Sequence, residues 1–125
     1  MAADSPQDEL LGEPLAMDVV DELRSIDPDG AWLVELVSTF QKDAEERIEA
    51  LGAAIDSGNH TDAERLAHSV AGASRTVGAV RVAKVAQKIR LAGRAQDAAT
   101  ARSLLPALTH ELTVAIGALH GVLGK

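Results

Sequence analysis

The sequence has 125 residues, the size of a single domain, and contains no cysteine, which excludes disulfides, thiol catalysis and thiolate metal sites. Its formal net charge of −7 argues against general nucleic-acid binding, because a phosphate backbone would repel it. Hydrophobic residues make up 46% of the chain, yet the only aromatic residues are Trp32 and Phe40. This composition predicts an aliphatic, alanine-rich core of packed helices.

The N-terminal region shows no targeting signal. It lacks the basic and apolar parts of a signal peptide, and no apolar run in the chain approaches the ~20 residues of a membrane span. We therefore expect a cytoplasmic protein without membrane insertion. A monomeric state is a separate expectation. Residues 1–14 have little periodicity and are predicted to form a flexible acidic tail or linker, which leaves residues 15–125 as the domain.

Two helices are predicted in the first half of the domain. A short amphipathic pattern from Leu15 to Ile26 predicts the first, and the turn-forming sequence DPDG at residues 27–30 ends it. The second is long, because apolar residues recur at steps of three and four. Its predicted buried stripe consists of Trp32, Leu33, Leu36, Val37, Phe40, Ala44, Ile48, Leu51 and Ile55.

Three further helices follow. Thr61 and Glu64 form a capping-box pattern, so the third helix is expected to start just after Thr61 and to end at Gly78. Its predicted buried residues are Ala63, Leu66, Val70, Ala73 and Val77. The fourth buries Val82, Val85, Ala86 and Ile89 and ends near Gly93.

Asp97 is predicted to cap the last helix, in which Pro106 should cause a bend or mark a second start. The connections between the four longer helices are short, so consecutive helices should be antiparallel neighbours. The predicted fold is all-α: an antiparallel up-and-down four-helix bundle with a short additional N-terminal helix.

His68 is the main candidate functional residue. On a helical wheel it lies about 200° from Leu66 and Val70, which points its side chain to solvent. Ala71 and Gly72 are expected to flank it on the exposed face, and both are small enough to admit a partner. An exposed imidazole is a reasonable phosphoryl acceptor, because a large fraction is neutral near pH 7. A structural core histidine, or an unremarkable surface one, remains an alternative.

A basic stretch follows this helix. Residues 75–94 contain six basic residues and no acid: Arg75, Arg81, Lys84, Lys88, Arg90 and Arg94. Such a run predicts a basic surface for an acidic partner. Arg75, two helical turns beyond His68 on the same side, could attract a phosphoryl group, although a lone arginine is more often a solvated charge.

The sequence AHSVAGASRTVGAVRVAKVAQKIRLAGR, residues 67–94, resembles the signature of histidine phosphotransfer (HPt) domains. That signature is His, any residue, aliphatic, Lys, Gly, small, Ser, then Gly-Ala, then a helix ending in Gly-Arg. The matching residues are His68, Val70, Gly72, Ser74, Gly78, Ala79, Gly93 and Arg94. The resemblance extends over roughly residues 15–123.

The resemblance implies a phosphocarrier rather than an enzyme. His68 would accept a phosphoryl group from a receiver-domain aspartate and pass it to another receiver, and Gly72 would give that partner room. The expected partners are response-regulator receiver domains, hybrid sensor histidine kinases, or both. The receiver would supply magnesium and most of the catalytic groups, so no cofactor is expected in this chain. Arg81, Lys84 and Lys88 are the predicted docking residues.

Two positions depart from the family pattern. Ala71 stands where the family usually has a lysine that neutralises phosphoryl charge, and Arg90 stands where a Gln or Glu commonly orients the imidazole. An arginine cannot accept a hydrogen bond from the ring N–H. Our hypothesis is that Arg90, together with Arg75, supplies the cationic help that Ala71 cannot.

Two other functions compete with phosphotransfer. His60, Glu64 and His68 are spaced by four as in a metal site, but the predicted cap at Thr61 places His60 outside the helix, so no metal is expected. His110 and His120 look like isolated surface or boundary residues. The stronger rival is a non-phosphorylated helical adaptor that docks an acidic partner through the basic face.

Overall fold

The computed structural model describes residues 12–27 and 29–123, and within them the chain forms five α-helices and no strand. The helices are α1 (Met17–Ile26), α2 (Ala31–Asp56), α3 (His60–Thr76), α4 (Val80–Arg94) and α5 (Ala98–Val122). Packing of α2 on α3, α3 on α4, α4 on α5 and α5 on α2 closes a ring of four helices. The predicted four-helix bundle with a short additional N-terminal helix is confirmed. No helix in the described ranges combines the length and apolar character that crossing a membrane requires.

The core is aliphatic. Its largest fully buried apolar side chains are Leu51, Ile89, Leu108, Val70, Val77, Val82 and Val85. Phe40 is buried as predicted, but Trp32 is 48% exposed, so its predicted place in the stripe of α2 is wrong. Adjacent helical residues point about 100° apart, and here Leu33 rather than Trp32 faces the core.

The start of α3 differs from the prediction. Asn59 is the cap, because its side chain accepts a hydrogen bond from the backbone N of Asp62 at 3.1 Å. Asparagine is a better cap than threonine, so the helix begins at His60 and Thr61 lies inside its first turn. The predicted capping box is therefore wrong.

The buried face of α3 is also rotated from the prediction. Leu66 and Ala73 are only partly buried, whereas Ala67, Ala71 and Ser74 are fully buried. The reason is that α3 packs against both α2 and α4, which turns its face towards the small residues. The buried hydroxyl of Ser74 is satisfied by the carbonyl oxygen of Val70 at 2.7 Å.

Asp97 caps α5, as predicted. Its carboxylate accepts hydrogen bonds from the hydroxyl of Thr100 at 2.6 Å and from the backbone N of Thr100 at 3.1 Å. These two bonds, the side-chain bond first, lower the pKa of Asp97 below its ordinary value of 3.8. The cap therefore adds stability above the ordinary pKa, and this stability is lost as pH falls through the lowered one. The α5 helix runs unbroken through Pro106, so no second helix starts there.

α1 covers the end of the bundle at the turn between α3 and α4. The backbone N of Ala16 donates to the carbonyl of Gly78 at 2.8 Å, and Leu15 and Val20 are buried in the core. Gly78 has φ +79°, and an added Cβ would lie 3.1 Å from the oxygen of Ala16, so this close approach needs glycine. Most of the predicted tail, residues 1–11, lies outside the described residues.

Candidate functional site

His68 lies in the middle of α3 with an exposed side chain, as predicted. A histidine buried in the core is thereby excluded. One turn earlier on α3, Glu64 binds Arg94 of α4, with 3.1 Å between Oε2 and Nε. His68 therefore stands near the groove between α3 and α4, on the outer side of the bundle.

Gly72 forms the open side of this site. It is exposed, and a Cβ added to it would meet nothing within 4 Å among the residues that the structure describes, so packing against them does not explain the glycine. The expectation that Ala71 also flanks His68 on the exposed face is wrong, because Ala71 is 0% exposed. Three residues turn a helix by about 300°, which here brings Ala71 back into the core.

Arg75 and Arg90, two of the predicted cations, lie on the same side of the bundle as His68. Arg75 is exposed and, seven residues on, falls within about 20° of His68 on the helical wheel of α3. Arg90 is half-buried and lies four residues before Arg94, on the edge of α4 that faces α3. Whether either assists transfer stays a prediction.

Arg81 is buried, so its predicted place on an exposed docking surface is wrong. It is 6% exposed, and its guanidinium binds Glu111 of α5, with 2.7 Å between Nη2 and Oε2. Lys88, two turns beyond Arg81, is exposed on the same α5-facing edge of α4, and Lys84 is exposed near Gly12. The predicted basic surface is therefore divided between two edges of α4. Only the edge that faces α3 lies next to His68.

The stated reason for excluding a metal site is also wrong. His60 is the first residue of α3 rather than a residue outside it. The described part of the chain nevertheless contains no group of three or more His, Asp or Glu side chains that could hold a metal ion. His110 and His120 are exposed on α5, as expected.

Two of the ion pairs that were not predicted from the sequence are formed by residues 30 positions apart. One is the contact of Glu64 with Arg94 beside His68, and the other is the buried contact of Arg81 with Glu111. For the first pair a signal existed, since Glu64 lies one turn before His68 and Arg94 matches the signature. For the second pair no local signal existed. Glu111 lies 30 residues from Arg81, and nothing near it in the sequence indicates this partner.

A four-helix bundle that presents an exposed mid-helix histidine beside a glycine has the architecture of a phosphotransfer module. The model of the Hpt domain family matches residues 35–118, more than half of the chain, and the chain belongs to this family. Its structure is similar to that of histidine-containing phosphotransfer protein B from Pseudomonas aeruginosa PAO1, with a TM-score of 0.80 and 25% sequence identity. That match covers 90% of this chain and 96% of the other. No curated sequence matches the chain significantly.

Most signature residues have structural roles in this fold. Val70, Ser74 and Ala79 are buried, Gly78 makes the turn to α4, and Gly93 lets α4 approach α3. The signature residues that remain exposed are His68, Gly72 and Arg94. The exposed part of the signature is therefore concentrated along one side of α3 and the neighbouring end of α4.

Proposed function

We propose that His68 carries the phosphoryl group in the phosphorelay that this Hpt domain serves. The observation that carries the proposal is the exposure of His68 in mid-helix beside Gly72, where the imidazole is open to another protein. The other histidines lie elsewhere: His60 is in the first turn of α3, and His110 and His120 are on α5.

Transfer of the phosphoryl group to His68 requires no general base from this chain. The unprotonated ring nitrogen of His68 attacks the phosphorus of a receiver's aspartyl phosphate, an N–P bond forms, and the P–O bond to the aspartate breaks. The bonding pair leaves with the aspartate as carboxylate, and the proton on the other ring nitrogen stays there. Reversal of these steps passes the group to the next receiver.

The partner contributes the rest of the site. Hpt proteins work with receiver domains and histidine kinases. In this proposal the receiver supplies Mg²⁺, which neutralises phosphoryl charge, and this chain supplies a rigid helix that positions the imidazole. A monomeric state and a cytoplasmic location remain predictions.

The proposal is tested by mixing the purified chain with a receiver domain that carries a labelled aspartyl phosphate. Label is expected to move to this chain in a form that is lost in acid and retained in alkali, as for a phosphohistidine. A chain that binds the receiver and stays unlabelled would instead be an adaptor. Alkali-labile label would place the group on a carboxylate and contradict the proposal.

Gly72 provides a test of the approach route. Gly72→Leu is expected to slow transfer by about 100-fold, since displacing reacting groups by ~1 Å costs about that much. Gly72→Ala is the matched control, because a methyl group meets no described atom within 4 Å and alanine stabilises a helix by about 1 kcal/mol over glycine. Rates from single-turnover assays, with unfolding midpoints measured alongside, check both. Equal rates for Gly72→Leu and Gly72→Ala would show that no partner approaches here.

The proposed cationic assistance is tested with Arg75→Ala and Arg90→Ala. The double variant is expected to slow transfer by about tenfold, because two partly exposed cations each contribute up to about 1 kcal/mol. Lys42→Ala removes one charge from the exposed side of α2 and serves as the control. Unchanged rates in the double variant would show that neither arginine replaces the family lysine.

A further inference from the structure

Glu64 places a carboxylate one helical turn before His68. Side chains four residues apart on a helix have their Cβ atoms about 5–6 Å from each other, so this acid lies within reach of the imidazole. An incoming phosphoryl group is itself negatively charged. A free Glu64 carboxylate would repel that group at the point where it must bind.

Arg94 binds this carboxylate. Its Nε donates to Oε2 of Glu64 at 3.1 Å, and among the described residues Glu64 makes no hydrogen bond to His68. The Arg94 side chain is 57% exposed and that of Glu64 is 31% exposed. The pair thus lies at the surface, beside the place where a partner would approach His68.

Gly93 makes the contact possible. A Cβ at Gly93 would lie 3.3 Å from the backbone N of Glu64 and 3.5 Å from the carbonyl oxygen of His60. The end of α4 therefore packs directly against the backbone of the first turns of α3. This close approach sets the next residue, Arg94, beside the carboxylate.

We propose that Arg94 is a positioning residue for phosphotransfer, which holds the Glu64 carboxylate and offsets its charge where the phosphoryl group reaches His68. This inference rests on the proposed role of His68. The buried Ala71 supplies no cation, so neutralising Glu64 matters more in this chain than it would beside a lysine.

The test is a double-mutant cycle on the rate of transfer at low ionic strength. Arg94→Gln is expected to slow transfer about three- to fivefold, the size of a surface charge interaction. Adding Glu64→Gln to Arg94→Gln should restore the wild-type rate, because the repelling charge is gone. Arg94→Lys keeps the charge and should retain most of the rate. If the pair were merely structural, neither the added Glu64→Gln nor the Arg94→Lys substitution would preserve the transfer rate.

Arg102 provides the matched control. It forms an exposed ion pair of the same 3.1 Å length with Asp56, between α5 and α2. Arg102→Gln should leave the transfer rate unchanged, and unfolding midpoints of both variants measure any loss of stability. The inference is overturned if Arg94→Gln transfers like wild type, if Arg102→Gln is slowed equally, or if Glu64→Gln gives no rescue. Labelling that persists in His68→Gln would instead overturn the proposed function.

Discussion

His68→Gln is expected to reduce labelling by a phosphorylated receiver to the background of a reaction without this chain. A glutamine amide fills similar space but has no ring nitrogen with a free lone pair, so it cannot attack phosphorus. The substitution should change the free energy of unfolding by no more than about 0.5 kcal/mol, because His68 is exposed and makes no hydrogen bond among the described residues. Acid-stable and acid-labile label on the chain are measured separately.

The remaining histidines supply controls for this loss. His110→Gln and His120→Gln replace exposed residues of α5 and should retain the wild-type rate, while His60→Gln tests the first turn of α3. Association of the His68→Gln variant with the receiver should persist, since the docking surface is kept. Label on His68→Gln, or its loss in His110→Gln, would assign the phosphoryl group to another residue.

The helices could be predicted because their signals are local. The period of apolar residues defined α2, α4 and α5, and the Asp97 cap and the glycine at the end of α3 were read from single positions. The start of α3 was missed where two capping residues compete, since Asn59 prevailed over Thr61. A local sequence pattern does not decide which of two nearby capping residues starts a helix.

The orientation of α3 was harder to predict, because burial depends on which helices pack against it. A stripe of Leu66 and Val70 was expected, yet packing on both α2 and α4 buried Ala71 as well. His68 remained exposed under either orientation, so the central prediction was insensitive to this error. The role assigned to Ala71 was sensitive to it and was wrong.

The basic stretch of residues 75–94 shows why charge runs mislead on a helix. Successive side chains point about 100° apart, so a run in sequence is distributed around the helix. Arg94 faces α3 and binds Glu64, whereas Arg81 faces α5 and binds Glu111. Which acid each arginine meets is decided by residues 30 positions away, and no local pattern contains that information.

The buried pair of Arg81 and Glu111 leads to the second large effect. Glu111→Ala is expected to lower the free energy of unfolding by about 3–5 kcal/mol, because it removes the buried carboxylate that binds the Arg81 guanidinium at 2.7 Å. The unfolding midpoint should fall by about 10 °C or more in a domain of this size. Asp56→Ala, which breaks the exposed pair with Arg102, should cost less than about 1 kcal/mol.

Replacing both members of this pair distinguishes a structural role from a docking role. Oε1 of Glu111 is buried without a hydrogen-bond partner among the described residues. The contact with Arg81 therefore only partly offsets the free-energy cost of removing the Glu111 carboxylate from water. Arg81→Met combined with Glu111→Leu should therefore recover most of the stability lost in Glu111→Ala, and it should transfer phosphoryl groups at the wild-type rate. Chemical denaturation and single-turnover assays on the same samples measure both quantities. If the stable double variant transferred slowly, Arg81 would act on the receiver after all, and its burial in the free domain would have to be relieved on binding.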